Sequence, residues 1–223
     1  MLHPPYTLMV LSFVVMGAAL SPRFSVPVLI ATLAAYFLGL GVGAHFLDQI
    51  TGMGSRYVRH WSDRALWVGG LAGLGGGIAI GVLGAWLVVG PVLLVLVAVQ
   101  AACALGYPLA PIFKGVFHRD SVFAVSWGSL PFLTSVYAQS GGITVPALFF
   151  AGGLAAVAVA EIRISRISRR LRRMARERED TRAAILESGP RAYRRPEVVL
   201  QALVIGSGLL ALGLLAARLF AGV

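Results

Sequence analysis

Seven apolar runs divide the chain, and each ends in a turn signal or a charged stretch. The first covers about Tyr6–Leu20, with Met1–Pro5 as an interfacial lead-in, and Ser21-Pro22-Arg23 breaks it. The second runs from about Val26 to Leu47 and the third from about Leu66 to Val89. Gly90-Pro91 turns the chain into a fourth run ending near Tyr107. A fifth spans about Ser121–Tyr137 and is followed by Gln139-Ser140-Gly141-Gly142. The sixth covers about Val145–Ile162 and the last about Val198–Phe220. About 20 apolar residues cross a bilayer as a helix. The pattern therefore predicts an all-α polytopic transmembrane bundle of about seven spans, with residues 1–223 forming one membrane domain.

Composition agrees with the pattern. The chain of 223 residues is 58% hydrophobic and 13% charged, against roughly 45–50% and about 25% in soluble domains. Disorder is excluded, and a water-soluble globule is disfavoured. Met1–Tyr6 holds no Lys or Arg, so the basic start of a secretory signal is not expected. Cys103 lies in an apolar run and reads as a small hydrophobe.

The net charge of +10 suggests nucleic acid until the charges are located. Arg56, Arg59 and Arg64 lie between runs two and three, and Lys114 and Arg119 between four and five. Twelve arginines from Arg163 to Arg195 lie between six and seven, while the connections after runs three and five carry none. Basic loops stay in the cytoplasm, so the N-terminus is expected inside and the C-terminus outside, in a prokaryotic plasma membrane. The segment 163–196 reads as a helix continuing from span six, with Arg163, Arg166, Arg170 and Arg173 on a basic face. Ile164, Ile167 and Leu171 form an apolar one. Such a segment binds anionic lipid or, at the mouth of the bundle, an anionic head group such as a diphosphate. Nucleic acid is disfavoured, because no aromatic interleaving accompanies the arginines.

Gly69, Gly73, Gly77 and Gly81 recur every fourth position and make a smooth face for close helix packing in lipid. No Lys-Ser/Thr follows, so this is not a phosphate loop. Trp127 lies within span five, where Gly128 and Pro131 allow a bend.

Ionisable residues at span ends are functional candidates, and here they gather on the expected cytoplasmic side. His45 and Asp48 share a helix face at i, i+3 spacing. His118 and Asp120 open span five, and Glu161 ends span six. His60 and Asp63 lie in a solvated loop, and His3 lies near the N-terminus. Imidazole with carboxylate suits zinc, manganese or iron, and carboxylates alone suit magnesium. His45, Asp48, His118 and Asp120 are thus the candidate ligands of a divalent ion (Mg, Mn or Zn). The alternative is that His45 and Asp48 bond to each other and to nearby backbone, locking a helix end.

The order of these features resembles the UbiA-type intramembrane prenyltransferases. Ala44-His45-Phe46-Leu47-Asp48 stands where that family has Asn-Asp-x-x-Asp. Tyr107-Pro108 and Lys114 are similar in placing to its Tyr and diphosphate-contacting Lys. Trp127-Gly128-Ser129-Leu130-Pro131 and Tyr137-Ala138-Gln139-Ser140-Gly141 look like its next span. The resemblance covers roughly His45 to Glu161. It departs where the family's second Asp-rich motif should end span six, since only Glu161 stands there, and in having seven spans rather than about nine.

The resemblance implies a helical bundle whose cytoplasmic-side cavity holds an isoprenoid diphosphate through metal. Lys114 by the resemblance, and Arg163 and Arg166 by their position just past span six, would hold the diphosphate, with Tyr107, Glu161 and Trp127 as further site residues. The function expected is a metal-dependent prenyltransferase or lipid-modifying enzyme at the cytoplasmic face. The competing reading is a non-catalytic membrane subunit whose basic segment binds anionic lipid or a partner protein. A transporter is the weakest reading, since no charge sits at mid-membrane and no two halves repeat.

Overall fold

The computed structural model describes residues 4–51, 61–110, 117, 119–177 and 191–220. His60, Lys114 and His118 lie outside the described residues. Among those described, the regular structure is entirely helical. Helix α1 is Pro4–Ala19. Helix α2 is one rod made of Val26–Tyr36, a π-helical stretch Phe37–Ala44 and His45–Thr51. Helix α3 is Asp63–Gly84 with a π-helical end at Ala85–Val89, and α4 is Val92–Gly106. Helix α5 joins Asp120–Phe123, the π-helical Ala124–Ser129 and Leu130–Ser140. Helices α6, Val145–Glu177, and α7, Arg191–Phe220, complete the bundle.

Local sequence explains the ends. Ser62 accepts from the Ala65 N–H and caps α3. Gly90 and Gly141, at φ 95° and 74°, take the left-handed turns after α3 and α5. Among the described residues, four helical stretches are long and apolar enough to cross a membrane: Val26–Ile50, Asp63–Val89, Val145–Arg170 and Pro196–Phe220. At 25–27 residues and about 1.5 Å per residue, each exceeds the roughly 30 Å hydrocarbon thickness. Pro5–Ala19 and Val92–Gly106 are shorter apolar helices.

Successive helices pack side by side, and α7 closes the ring against α1. Helices α1 and α5 touch across its middle. Helix α5 is the most enclosed, with Leu130, Phe132, Ser135 and Val136 all buried. The outer surface is apolar, with Phe149 and Trp86 79% and 78% exposed. Lipid is the solvent that matches such a surface.

The glycine face of α3 packs as its spacing predicts. A Cβ on Gly73 would lie 2.8 Å from Gly43 N and Leu38 O, and one on Gly77 would lie 2.6 Å from Ala35 O. The backbones of α2 and α3 are therefore in direct contact, which only glycine permits. Gly128 plays the same part between α5 and α6, where a Cβ would lie 2.8 Å from Ala155 Cα and Leu154 O. That approach sets α6 close enough for its arginines to reach the start of α5.

The far end of α5 is tied by neutral side chains. Gln139 accepts from the Ser25 N–H at 2.7 Å and donates to the Ser25 carbonyl at 3.1 Å. Ser135 donates to the Val14 carbonyl at 2.7 Å. These bonds hold α5 against α1 and against the α1–α2 connection.

Candidate functional site

The opposite end of α5 is charged. Asp120 opens that helix, and two guanidiniums from α6 converge on its carboxylate. Arg163 Nε donates to Oδ2 at 3.1 Å and Arg166 Nη1 to Oδ1 at 2.5 Å. Residues three apart share a helix face, so Arg163 and Arg166 arrive together. The bond from Arg163, helped by Arg166, holds the Asp120 carboxyl below its ordinary value. The guanidinium of Arg166 also bonds to the hydroxyl of Tyr107, one residue past α4. Arg169, one further step of three along α6, acts electrostatically on Asp48, Tyr107 and Tyr6. One face of α6 thus supplies cations to polar groups from α1, α2, α5 and the end of α4.

Beneath the cations lies an aromatic floor. Phe123 and Trp127 stack with centroids 5.0 Å apart and planes 6° apart. Tyr107 leans on both, at 5.5 Å and 5.3 Å, and Tyr6 meets Phe123 edge-on at 5.8 Å. The π-helical stretch of α5 shifts the side-chain register between Asp120 and Leu130. Trp127 falls in the core, 5% exposed, in keeping with its place inside the span. Single π-helical turns often mark functional sites, and here one precedes His45 and another follows Asp120.

A second region lies deeper. An apolar cavity of about 110 Å³ opens among α2, α3, α4 and α5, bordered by Leu40, Gly77, Val97 and Ala104. Ala104 is one turn before Tyr107, so the cavity lies below the charged end. On its wall the Tyr36 hydroxyl donates to Thr134 Oγ1 at 2.9 Å, and Gln100 Nε2 donates to Ser126 Oγ at 2.8 Å. Gln100 Oε1 lies 3.5 Å from the Tyr36 hydroxyl and links the two pairs.

The sequence candidates divide accordingly. Asp120, Arg163, Arg166, Tyr107 and Trp127 come together, with Asp48 in electrostatic reach through Tyr107 and Arg169. His45 points its Nδ1 at the Leu40 carbonyl, 2.7 Å away across the π-helical stretch, a helix-end lock of the kind considered from the sequence. Glu161 is wholly buried on α6. Lys114 and His118 lie outside the described residues. Among the described residues no three of His, Cys, Asp and Glu gather closely enough to hold a metal. The donors that are described do not fit an ion as they stand: both Asp120 oxygens lie on guanidiniums, and one His45 nitrogen lies on backbone.

Sequence reasoning passed over Arg169, Tyr6 and the Tyr36–Thr134–Gln100–Ser126 network. The step of three from Arg163 through Arg166 carries on to Arg169, whereas the stripe drawn from the sequence went to Arg170 instead. Nothing local around Tyr6 shows that α1 packs on α5.

No protein-family model matches the chain, and no curated protein matches it. Among solved structures it is similar to the apo structure of a UbiA homologue from Aeropyrum pernix K1, with a TM-score of 0.59 and 17% identity. The match covers 100% of this chain and 90% of that one. The similarity extends over all seven helices, well beyond His45–Glu161, and the chain has the fold of a UbiA-type polytopic membrane protein.

Proposed function

We propose that this membrane protein binds an isoprenoid diphosphate at the cytoplasmic end of its bundle and acts there as a prenyltransferase-like enzyme. The observation that carries the reading is the pair of α6 guanidiniums closing on the Asp120 carboxylate above an aromatic floor. Two guanidiniums that fork onto one carboxylate have the geometry that also grips a phosphate. Asp120 acts as the resident anion, which the diphosphate head displaces. Lys114, which lies outside the described residues, is the further diphosphate-binding cation that the UbiA resemblance implies. The apolar cavity below Tyr107 suits the tail, since a greasy chain belongs among the spans and its charged head does not.

In transfer, the bond between the prenyl carbon and the bridging oxygen breaks, and the electron pair leaves with diphosphate. Arg163 and Arg166 carry that developing negative charge as preorganised donors. The faces of Tyr107, Phe123 and Trp127 attract the positive charge left on the prenyl group. A divalent ion of the Mg, Mn or Zn class would need Asp48 together with donors outside the described residues, of which His118 is the candidate, and would supply further charge neutralisation.

The test is a titration of geranyl diphosphate into the purified full chain, with chelator and then with magnesium. Charge-assisted bonds contribute roughly 1.5–3 kcal/mol, so Arg166→Ala should weaken binding by about 10- to 100-fold. Arg218→Ala, which removes an equal charge beside Pro22, should leave binding unchanged. Asp120→Asn frees both guanidiniums and should tighten binding. Weaker binding in Asp120→Asn, together with a strict need for magnesium, would make Asp120 a metal ligand instead. Equal losses in both arginine variants, abolished by salt, would favour the non-catalytic subunit with a generic anion surface.

A further inference from the structure

Glu161 is the most enclosed ionisable side chain described, at 0% exposure, and neither carboxylate oxygen has a hydrogen-bond partner among the described residues. It lies one turn before Ser165 on α6, on the buried face, with Ala158 and Ile162 sealing the helix beside it. The three arginines nearest to it on α6 point elsewhere, Arg163 and Arg166 to Asp120 and Arg169 toward Tyr6, Asp48 and Tyr107. From the packed elements, α1 contributes Tyr6, which feels the charge of Glu161 and lies beside Ser165. Helix α5 contributes Asp120, engaged by arginine, and α7 contributes Glu197, engaged by Ser168. No described cation therefore compensates this carboxyl.

We propose that Glu161 is a membrane-buried proton-binding site whose described route to the charged mouth runs past Tyr6 and Ser165. An unpaired carboxylate removed from water costs several kcal/mol even after relaxation, so the resident form is the neutral acid. The acid releases its proton only when a polar or cationic group comes within reach. The released proton passes to a base at the mouth, and the O–H bonding pair stays on the carboxylate. The site stands whether or not the mouth binds a diphosphate, because none of the arginines that would grip the head group bonds to Glu161.

Dicyclohexylcarbodiimide tests the site. This apolar reagent reacts with protonated carboxyls that face lipid-like surroundings and leaves a stable N-acylurea. The full chain in liposomes is treated across a pH series, digested and read by mass spectrometry. The adduct is expected on Glu161, with a yield that falls as pH rises and is lost in Glu161→Gln. Asp120 should instead take a water-soluble carbodiimide. Glu161→Gln keeps the shape and both hydrogen-bonding functions, so its melting temperature should equal or exceed that of the parent. Labelling of Glu161 should persist in Arg163→Ala and Arg166→Ala, which separates this site from diphosphate binding. An unlabelled Glu161 in folded protein overturns the proposal. Labelling as ready with the water-soluble reagent as with the apolar one does so too, because the carboxyl would then be open to water. A large loss of stability in Glu161→Gln would show a paired, ionised carboxylate and would also overturn it.

Discussion

The two ends of α5 are both polar, and they are polar in opposite ways. At Gln139 every bond is neutral and ends on backbone. At Asp120 the bonds are ionic and run to long side chains, with Arg163 67% exposed and Arg166 34% exposed. A side-chain amide that has found a backbone N–H and C=O has little left to offer a ligand. A guanidinium with five donors keeps several in hand after meeting one carboxylate. The neutral end holds the fold together, and the charged end keeps donors to spare, as the proposed head-group exchange requires.

That contrast can be broken most sharply through topology, where the outcome is all or none. The positive-inside pattern predicts Gln139 outside and Asp120 inside. With Cys103 replaced by Ser, a cysteine at Gly142 should react with an impermeant reagent added to intact cells. A cysteine at Ser62 should react only after permeabilisation. The reverse pattern would move the charged end, and the proposed chemistry with it, to the other face.

A smaller effect is expected from Gln139→Ala. Two bonds to Ser25 are lost; its carbonyl keeps the Leu29 N–H, but its partly buried N–H is left unmet, at roughly 1–3 kcal/mol for an unsatisfied group. The melting temperature should drop by several degrees, while geranyl diphosphate affinity in the folded protein stays level. A loss of affinity matching the loss of stability would mean that the two ends are not independent.

The smallest effect belongs to the stability of Asp120→Asn. Exposed ion pairs contribute about 0–1 kcal/mol, so unfolding should shift little and the shift should shrink with salt. Asp120 is held below its ordinary value of 3.8. Its contribution is therefore complete above the unfolded-state value and is lost as pH falls through the folded one. A large, salt-insensitive loss in the Asn variant would make this end structural as well.

How much of this could be read from the residues varies with the distance over which each feature is decided. The seven apolar runs, the turns at Gly90 and Gly141, and the glycine face of α3 are local, and they were legible. The continuation of α6 beyond Ile162 was legible from the recurrence of Arg163 and Arg166. The pairing of Asp120 with those arginines is separated by 43 and 46 residues, and it depends on Gly128 letting α6 approach α5. The place of Trp127 inside the span beside a bend was legible, whereas the π-helical stretch that carries it is a departure that a period of 3.6 does not anticipate. His45 bonds to backbone across a similar shift, so i, i+3 spacing with Asp48 did not reveal where its ring points.

The backbone-to-backbone seam between α2 and α3 has a mechanical consequence. Where glycines meet glycines there are no side chains to rotate aside, and a slip of one residue would drive a Cβ into peptide atoms. The two helices form one stiff plank, with His45 and Asp48 fixed along its edge. A long lipid entering from the bilayer cannot part that seam without uncoupling the whole plank. It must pass where larger side chains interdigitate and can change rotamer, as between Gly81 and the isopropyl group of Val97 on α4. A bulkier residue at position 97 would then slow the loading of a long-chain lipid and leave that of a short one nearly unchanged, a signature of gating rather than of affinity.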